Sequence, residues 1–434
     1  MMSSRKTGNL GYWEVTAIGV GGMVGGGIFA VLGLSVQLTG GGAPVAFLIA
    51  GVVALVTSYS YARLSVAYPS QGGTVAFLDR AFGPGILTGG MNILLWISYI
   101  VMLSLYAYAF GSYGASFFPP ESQVVWKHVL ATGSVVAITG LNLLNTKVIG
   151  EVEDWIVLVK VVILLVFVGV GIWSVDGARL VPATWSSSVH LIAGGMIIFL
   201  AYEGFELIAN TARDVRDAAK TLPRAFYSSV GFVIVLYVLV AIVTVGSLPV
   251  EKIVVAKDYA LAEAARPSLG QAGVLLIAIA AMLSTSSAIN ATVYGAARLS
   301  YVIAKDGELP AVLERKAWGK PIEGLLITSG LTVLIANLVD LSSISTMGSA
   351  GFLVIFAAVN YANAVLAYET QSNRAISLVG VGLCFGALGS LIWQTADKSP
   401  GQLWFLLGMM GAAFSIEIMF RIFSERKINF PKAN

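Results

Sequence analysis

Ionisable side chains inside otherwise apolar sequence are where this chain can do chemistry. Lys160 stands in Asp154-Trp155-Ile156-Val157-Leu158-Val159-Lys160-Val161-Val162-Ile163-Leu164, with apolar neighbours on both sides. If Trp155 and Trp173 mark the two interfaces of a bilayer, the lysine lies about 6 Å from the midpoint on the Trp155 side, at roughly 1.5 Å per residue. Burial disfavours the charged form of such a lysine, so it can exchange a proton. Aimed into a helix bundle, it also offers positive charge where a sodium ion would otherwise sit. The bland alternative is a side chain that snorkels to the interface. Glu203 and Glu206 are the second candidates, able to balance a cationic side chain, relay a proton or cap a gate.

The backbone supplies a third kind of group. Five glycines fall within Gly21-Gly22-Met23-Val24-Gly25-Gly26-Gly27. Each costs about 1 kcal/mol against alanine in a helix, so a continuous helix is expected to break there. A broken helix inside a bilayer is tolerated only where it lines a cavity, and its freed groups become ligands. Amides around Gly25, Gly26 and Gly27, at a positive dipole end, suit a carboxylate. Carbonyls near Met23, Leu200 and Ala201 suit an ammonium. Together they describe a receptor for a zwitterion, hence an amino acid. The competing explanation is a glycine run that only permits close helix packing.

Ser284, Thr285, Ser286 and Ser287 precede Asn290 and Tyr294, and Ser284 and Ser287 share one helix face with Ala291. Their hydroxyls can line a cavity or accept from a lysine, or merely bond back to their own helix. His128 and His190 fall near span ends, where they could sense pH, although interfacial histidines are usually inert. No metal-ligand cluster, phosphate-binding loop or nucleophile-base arrangement is visible, so neither a metal, a cofactor nor ATP hydrolysis within the chain is expected.

The elements that position these residues follow from composition. Of 434 residues, 57% are hydrophobic and 11% charged, against about 25% charged in an average soluble domain. With a mean hydropathy of +0.84, a soluble globular protein is excluded. Long continuous apolar runs exclude a membrane barrel, whose strands alternate. Twelve candidate spans fall at 13–38, 43–67, 85–118, 124–144, 148–174, 190–211, 225–247, 271–304, 323–340, 345–368, 376–394 and 402–423. Span six has apolar residues only over 191–202, about 18 Å of helix, so it must continue through the glutamates to cross about 30 Å. Spans one and six therefore read as interrupted, and each opens a half of five spans. Paired broken helices at matching places point to an inverted repeat with its site at the midplane.

With the N-terminus inside, the inner loops carry eighteen lysines and arginines and the outer loops six, Lys160 and Arg298 being left within helices. This asymmetry places both termini in the cytoplasm of a cell-membrane protein. The leader 1–10 before span one is expected to stay uncleaved. Net charge of +3 without a basic block gives no footprint for nucleic acid. Lone Cys384 excludes an intrachain disulfide. Residues 257–266, in the loop between spans seven and eight, read as a short surface helix able to act as a lid.

Four motifs in order now carry a family resemblance over nearly the whole chain. Gly22-Met23-Val24-Gly25-Gly26-Gly27-Ile28-Phe29 and Phe199-Leu200-Ala201-Tyr202-Glu203-Gly204-Phe205-Glu206 resemble the two helix breaks of the amino acid-polyamine-organocation (APC) superfamily. Thr221-Leu222-Pro223-Arg224-Ala225 and Ala304-Lys305-Asp306-Gly307-Glu308-Leu309-Pro310 are similar to its inner-loop signatures. The likeness is greatest to its proton-coupled amino-acid transporters. It implies an all-α membrane protein with the leucine-transporter fold in one transmembrane domain, 1–434. Helices 1 to 5 (13–174) would form one repeat, helices 6 to 10 (190–368) the second, and two extra helices would occupy 376–424.

The resemblance further implies alternating access, with Lys160 in the place of a coupling sodium ion and Gly21 and Ser284 or Ser287 as its neighbours. Substrate contacts carry over to Met23, Gly25, Gly26, Gly27, Leu200 and Ala201. Glu206 matches an acid of many relatives and stands as a gate or relay. Glu203 departs from the family pattern and is placed in the substrate site. The expected function is sodium-independent amino-acid symport with protons. Alternatives are an obligatory exchanger, a carrier of cationic amino acids or polyamines, a non-transporting sensor and, least, a membrane enzyme. Amino acid, protons and lipid are the expected partners, with no obligate protein partner.

Overall fold

The computed structural model describes residues 8–83, 85–144, 147–305, 307–309, 311–314 and 322–423, with side chains left out at 144, 147–154, 311, 312 and 423. Arg5, Lys6, Arg315, Lys316, Lys320, Arg426, Lys427 and Lys432, all counted among the inner charges, lie outside the described residues, as do Asp306 and Pro310 of the fourth motif and the side chain of Lys147. Among the described residues the chain is helical, with isolated bridges at Leu10–Val215 and Gly40–Trp185 and no longer strand.

The helices in chain order are α1 (Tyr12–Met23), α2 (Gly27–Thr39), α3 (Ala43–Ala67), α4 (Thr74–Phe82), α5 (Ile86–Ala115), α6 (Gln123–Leu144) and α7 (Lys147–Gly171). There follow α8 (Ser188–Ile197), α9 (Leu207–Asn210), α10 (Ala218–Ser247), α11 (Val250–Val255), α12 (Ala260–Ala264) and α13 (Arg266–Lys305). The last four are α14 (Ile322–Leu338), α15 (Leu341–Val365), α16 (Arg374–Lys398) and α17 (Gln402–Phe423). Among the described residues nine helices are long and apolar enough to cross a bilayer, and two bent pairs raise the number to eleven. The shorter α14 is an apolar helix of 17 residues.

Burial sorts these helices into a core and a rim. In their most apolar stretch, α5 and α15 bury 83% of residues, whereas α6, α7 and α17 bury only 22%. Leu141, Leu158, Val162, Leu407 and Ile422 stand exposed on the rim. A soluble protein cannot present so much contiguous apolar surface, whereas lipid covers it without cost. Capping residues start several helices: Asp340 accepts from the Ser343 amide at 3.1 Å, and Asn373 from the Ala375 amide at 2.9 Å.

Both interrupted spans are bent, α1 against α2 by 46° and α8 against the 199–210 segment by 51°. The first break occupies Val24 to Gly26. The second runs through a 3-10 turn, Phe199–Tyr202, an extended Glu203 and Gly204 at φ +117°. Two glycines here are required by contact as well as by φ. A Cβ at Gly204 would fall 2.6 Å from the Met23 nitrogen, and one at Gly27 would fall 2.7 Å from the Ala201 Cα. The two breaks thus press backbone on backbone, which side chains would prevent.

Two expectations need correction. Thr221 to Ala225 is not a loop; it lies in the first turns of α10, which starts at Ala218, seven residues before the expected span. The segment 257–266 is not a surface helix either. It forms a 3-10 turn, Lys257–Tyr259, followed by α12, whose Ala260, Leu261, Ala262 and Ala264 are buried. Its alanines serve close packing onto α2 and α13. Asp258 there accepts from the Tyr108 hydroxyl at 3.1 Å, and Lys127 donates to that same hydroxyl at 3.0 Å.

Candidate substrate and coupling site

The freed groups of the two breaks are met mainly by hydroxyls from neighbouring helices. Tyr237 on α10 donates to the Met23 carbonyl at 2.6 Å and lies 3.2 Å from the Ala201 carbonyl, tying one break to the other. Ser284 on α13 donates to the Val24 carbonyl at 2.9 Å and also touches the Gly25 carbonyl. On α15, Ser345 and Ser349 donate to the Ile197 carbonyl at 2.6 and 2.9 Å, and Ser349 accepts from the Leu200 amide at 3.1 Å. Non-helical backbone inside apolar surroundings is affordable only when its polar groups are satisfied in this way.

Beside the breaks lies a cavity of about 400 Å³, bounded by α1, α5, α13 and the 203–211 segment. It reaches from Gly21, Gly22, Tyr106 and Glu203 to Gln71 and Arg298, at the end of the bundle where α1 starts and α13 finishes. There Arg298 donates to the Gln71 side chain across the mouth. Lys160, 1% exposed, points inward and not to an interface. Its Nζ donates to the Gly21 carbonyl at 3.0 Å. Gly21 is in the last turn of α1, where carbonyls lack helical partners and a cation is favoured by the dipole.

The expected residues divide into two groups. Glu203, Gly21 and Ser287 line the cavity, together with Tyr294. Met23, Gly25, Gly26, Gly27, Leu200 and Ala201 are buried behind its wall. Between the groups stands Tyr106, which lines the cavity with one side and packs on Gly25 and Gly26 with the other. Lys160 meets Gly21, while Ser284 is engaged by the first break.

Glu206 is buried at 1% exposure, behind the cavity wall. Its two oxygens accept from the Tyr99 hydroxyl at 3.0 Å and from the Gly204 amide at 2.7 Å. Glu203 is 3% exposed and stands three residues before Glu206 in the same break, on the cavity side. The histidines stand apart from this site. His128 Nδ1 contacts Asn337 Oδ1 at 2.8 Å, and His190 Nδ1 contacts Ser187 Oγ at 2.7 Å. His190 lines a more open pocket of about 780 Å³ with Lys257, Asp340 and Lys398. Among the described residues no cluster of His, Cys, Asp and Glu could hold a metal.

Sequence reasoning passed over Tyr99, Tyr106, Tyr113 and Tyr237, and gave Arg298 no role. One signal was present: Tyr99, Tyr106 and Tyr113 recur every seventh residue, which places all three on one face of α5. All three face the broken segments: Tyr99 reaches Glu206, Tyr106 packs on Gly25 and Gly26, and Tyr113 donates to the Phe29 carbonyl at 3.0 Å. Buried tyrosines need a partner for the hydroxyl, and freed carbonyls and carboxylates provide it.

Comparison with known proteins agrees with this architecture. A family model described as amino acid permease matches residues 10–414. An uncharacterized protein of Methanocaldococcus jannaschii is 35% identical over 422 residues, covering 97% of each chain. The inner membrane transport protein YbaT of Escherichia coli is 32% identical over 415 residues, covering 94% of this chain and 96% of its own. The methylthioribose transporter of Bacillus subtilis is 24% identical over 428 residues, covering 91% and 89%. Helices, paired breaks and matches spanning nearly the full length lead to one conclusion: the chain belongs to the amino acid permease family of the APC superfamily, and is a multi-pass membrane transporter and not an enzyme.

Proposed function

We propose that the protein carries amino acids across the cell membrane by alternating access, without sodium, and couples that movement to protons through Lys160. The observation that carries this reading is the bond from Lys160 Nζ to the Gly21 carbonyl, at the end of α1 and beside the cavity. A protonated lysine holds α1 against α7 with a charge-assisted hydrogen bond; a neutral one holds it less strongly. Proton loss from Lys160 therefore releases α1, widens the cavity toward Arg298 and lets substrate leave. On this reading the helices form the leucine-transporter fold: twelve spans, with 13–174 and 190–368 as inverted repeats and 376–424 as the added pair. Both termini face the cytoplasm, so the cavity opens inward.

The substrate's carboxylate is assigned to the amides of Gly25, Gly26 and Gly27, and its ammonium to carbonyls of Met23, Leu200 and Ala201. Tyr106 must rotate to join that site to the cavity. Glu203 faces the substrate side chain, with Glu206 behind it as a relay. The partners are the amino acid, protons and lipid.

The test is uptake of labelled alanine by proteoliposomes in sodium-free buffer, with an inward proton gradient and empty lumens. Concentrative uptake supports the proposal. Uptake that requires amino acid preloaded in the lumen would replace it with obligatory exchange, Lys160 then acting as a fixed charge. Labelled methylthioribose in place of alanine checks whether the cavity takes a polar solute of another class, as a relative's name raises.

A further inference from the structure

Two acids three residues apart, both buried, are an expensive arrangement in a bilayer and demand a use. Two neighbouring buried carboxyl groups with no cation paired to them do not both ionise, so the pair holds at least one proton. The surroundings say which group carries it. Glu206 accepts on both oxygens, from the Gly204 amide, which can only donate, and from the Tyr99 hydroxyl. It is set up as the carboxylate, held by two donors. Glu203, the member that lines the cavity, is the acid that carries the proton.

The other groups facing the pair are the phenols of Tyr61 from α3 and of Tyr99 and Tyr106 from α5. Tyr61 is itself bonded to the Thr74 hydroxyl at 2.8 Å. From α10 and α15 come the rings of Phe226 and Phe356, which pack against intervening Phe205. Among the described residues no lysine or arginine forms an ion pair with either acid. Lys160 is committed to α1 at Gly21.

We propose that the Glu203–Glu206 pair stores one proton beside the amino-acid site and exchanges it for the ammonium end of a lysine-like side chain. The inference rests on the amino-acid reading above and adds to it a substrate class and a charge rule. With a neutral amino acid the proton stays on Glu203, and the pair carries one negative charge. With a monocationic amino acid the proton leaves Glu203 for cavity water and the ammonium takes its place between two carboxylates. The net charge of the pair and its occupant is minus one in both cases. One cavity thereby accepts both substrate classes without burying an uncompensated charge.

The experiment compares L-lysine with L-norleucine, which has the same carbon chain and lacks the terminal ammonium. Purified full-length protein in weakly buffered detergent solution, with a pH-indicating dye, reports protons released on binding. The expected result is about one proton more per bound lysine than per bound norleucine. Lysine affinity should also tighten, relative to norleucine, by up to about tenfold per unit rise in pH. In Glu203→Gln the difference in proton release between the two ligands disappears. Equal release by both ligands in the unmodified protein overturns the proposal, as does binding of norleucine without binding of lysine. Binding of neither overturns the amino-acid reading as well, so the two failures are told apart.

Discussion

Lys160→Met removes the ammonium that holds the Gly21 carbonyl and keeps an unbranched side chain of similar length in its place. Hydrogen bonds to charged groups contribute about 1.5–3 kcal/mol, and each 1.4 kcal/mol is tenfold in an equilibrium. The population in which α1 has swung from α7 should therefore rise by about 10- to 100-fold. The chain offers a clean reporter for this. Its one cysteine, Cys384, is fully buried, whereas half-buried Ala17 lies on α1 in the cavity wall. Maleimide labelling of Ala17→Cys, in otherwise unchanged protein and with Lys160→Met added, measures how often α1 opens. Labelling should be about tenfold faster or more in the double variant. Once corrected for the thiolate fraction of the cysteine itself, it should also lose its remaining dependence on pH, since Lys160 is gone. Equal rates, or the same thiolate-corrected pH profile in both proteins, would refute the idea that Lys160 restrains α1.

Three more expectations follow from contacts in the structure. Gly204→Ala forces a Cβ against Met23 at φ +117°, a strain of about 1–3 kcal/mol. Its apparent melting temperature should fall, and an unchanged melting curve contradicts the close approach of the two breaks. Tyr237→Phe leaves the Met23 and Ala201 carbonyls without their shared donor, at about 1–3 kcal/mol for an unsatisfied buried group. Uptake of alanine per folded molecule should drop by about tenfold, and full uptake would mean those carbonyls are served otherwise. Outside the membrane spans, the Tyr68 hydroxyl and then the Arg80 guanidinium hold the Glu369 carboxyl below the usual carboxylate range. A lowered folded-state value means the stabilisation is present above the ordinary range and is lost as pH falls through the lowered value. Acid melting of the parent should thus be steeper than that of Glu369→Gln below about pH 4.5; parallel curves contradict the contact.

How legible the molecule was in its sequence depends on whether local or tertiary physics decided each feature. The first break was legible because clustered glycines are a local cost, and the second because an apolar run of 191–202 is too short to cross a bilayer. The inward direction of Lys160 was one of two open readings, since a single sequence shows a lysine's depth and not the face it occupies. Burial of 260–264 was not legible: an alanine-rich segment in a loop looks the same whether it packs on α2 or floats. The hydroxyl partners were hidden for the same reason. Tyr237, Ser345 and Ser349 sit more than thirty residues from the carbonyls they satisfy, and only packing of α10 and α15 brings them there. The seven-residue recurrence of Tyr99, Tyr106 and Tyr113 was on view and unread. Tyr106 thereby separated two groups of residues that the sequence assigned to one surface.

The most direct test of proton coupling through Lys160 is the proton flux that accompanies substrate. Proteoliposomes with an entrapped pH-indicating dye, in sodium-free buffer at equal pH on both sides, receive an inward gradient of alanine. Acidification of the lumen that tracks alanine entry, and that is absent with Lys160→Ala, is the predicted result. Acidification that persists in Lys160→Ala, or alanine entry without any acidification in the unmodified protein, would contradict it.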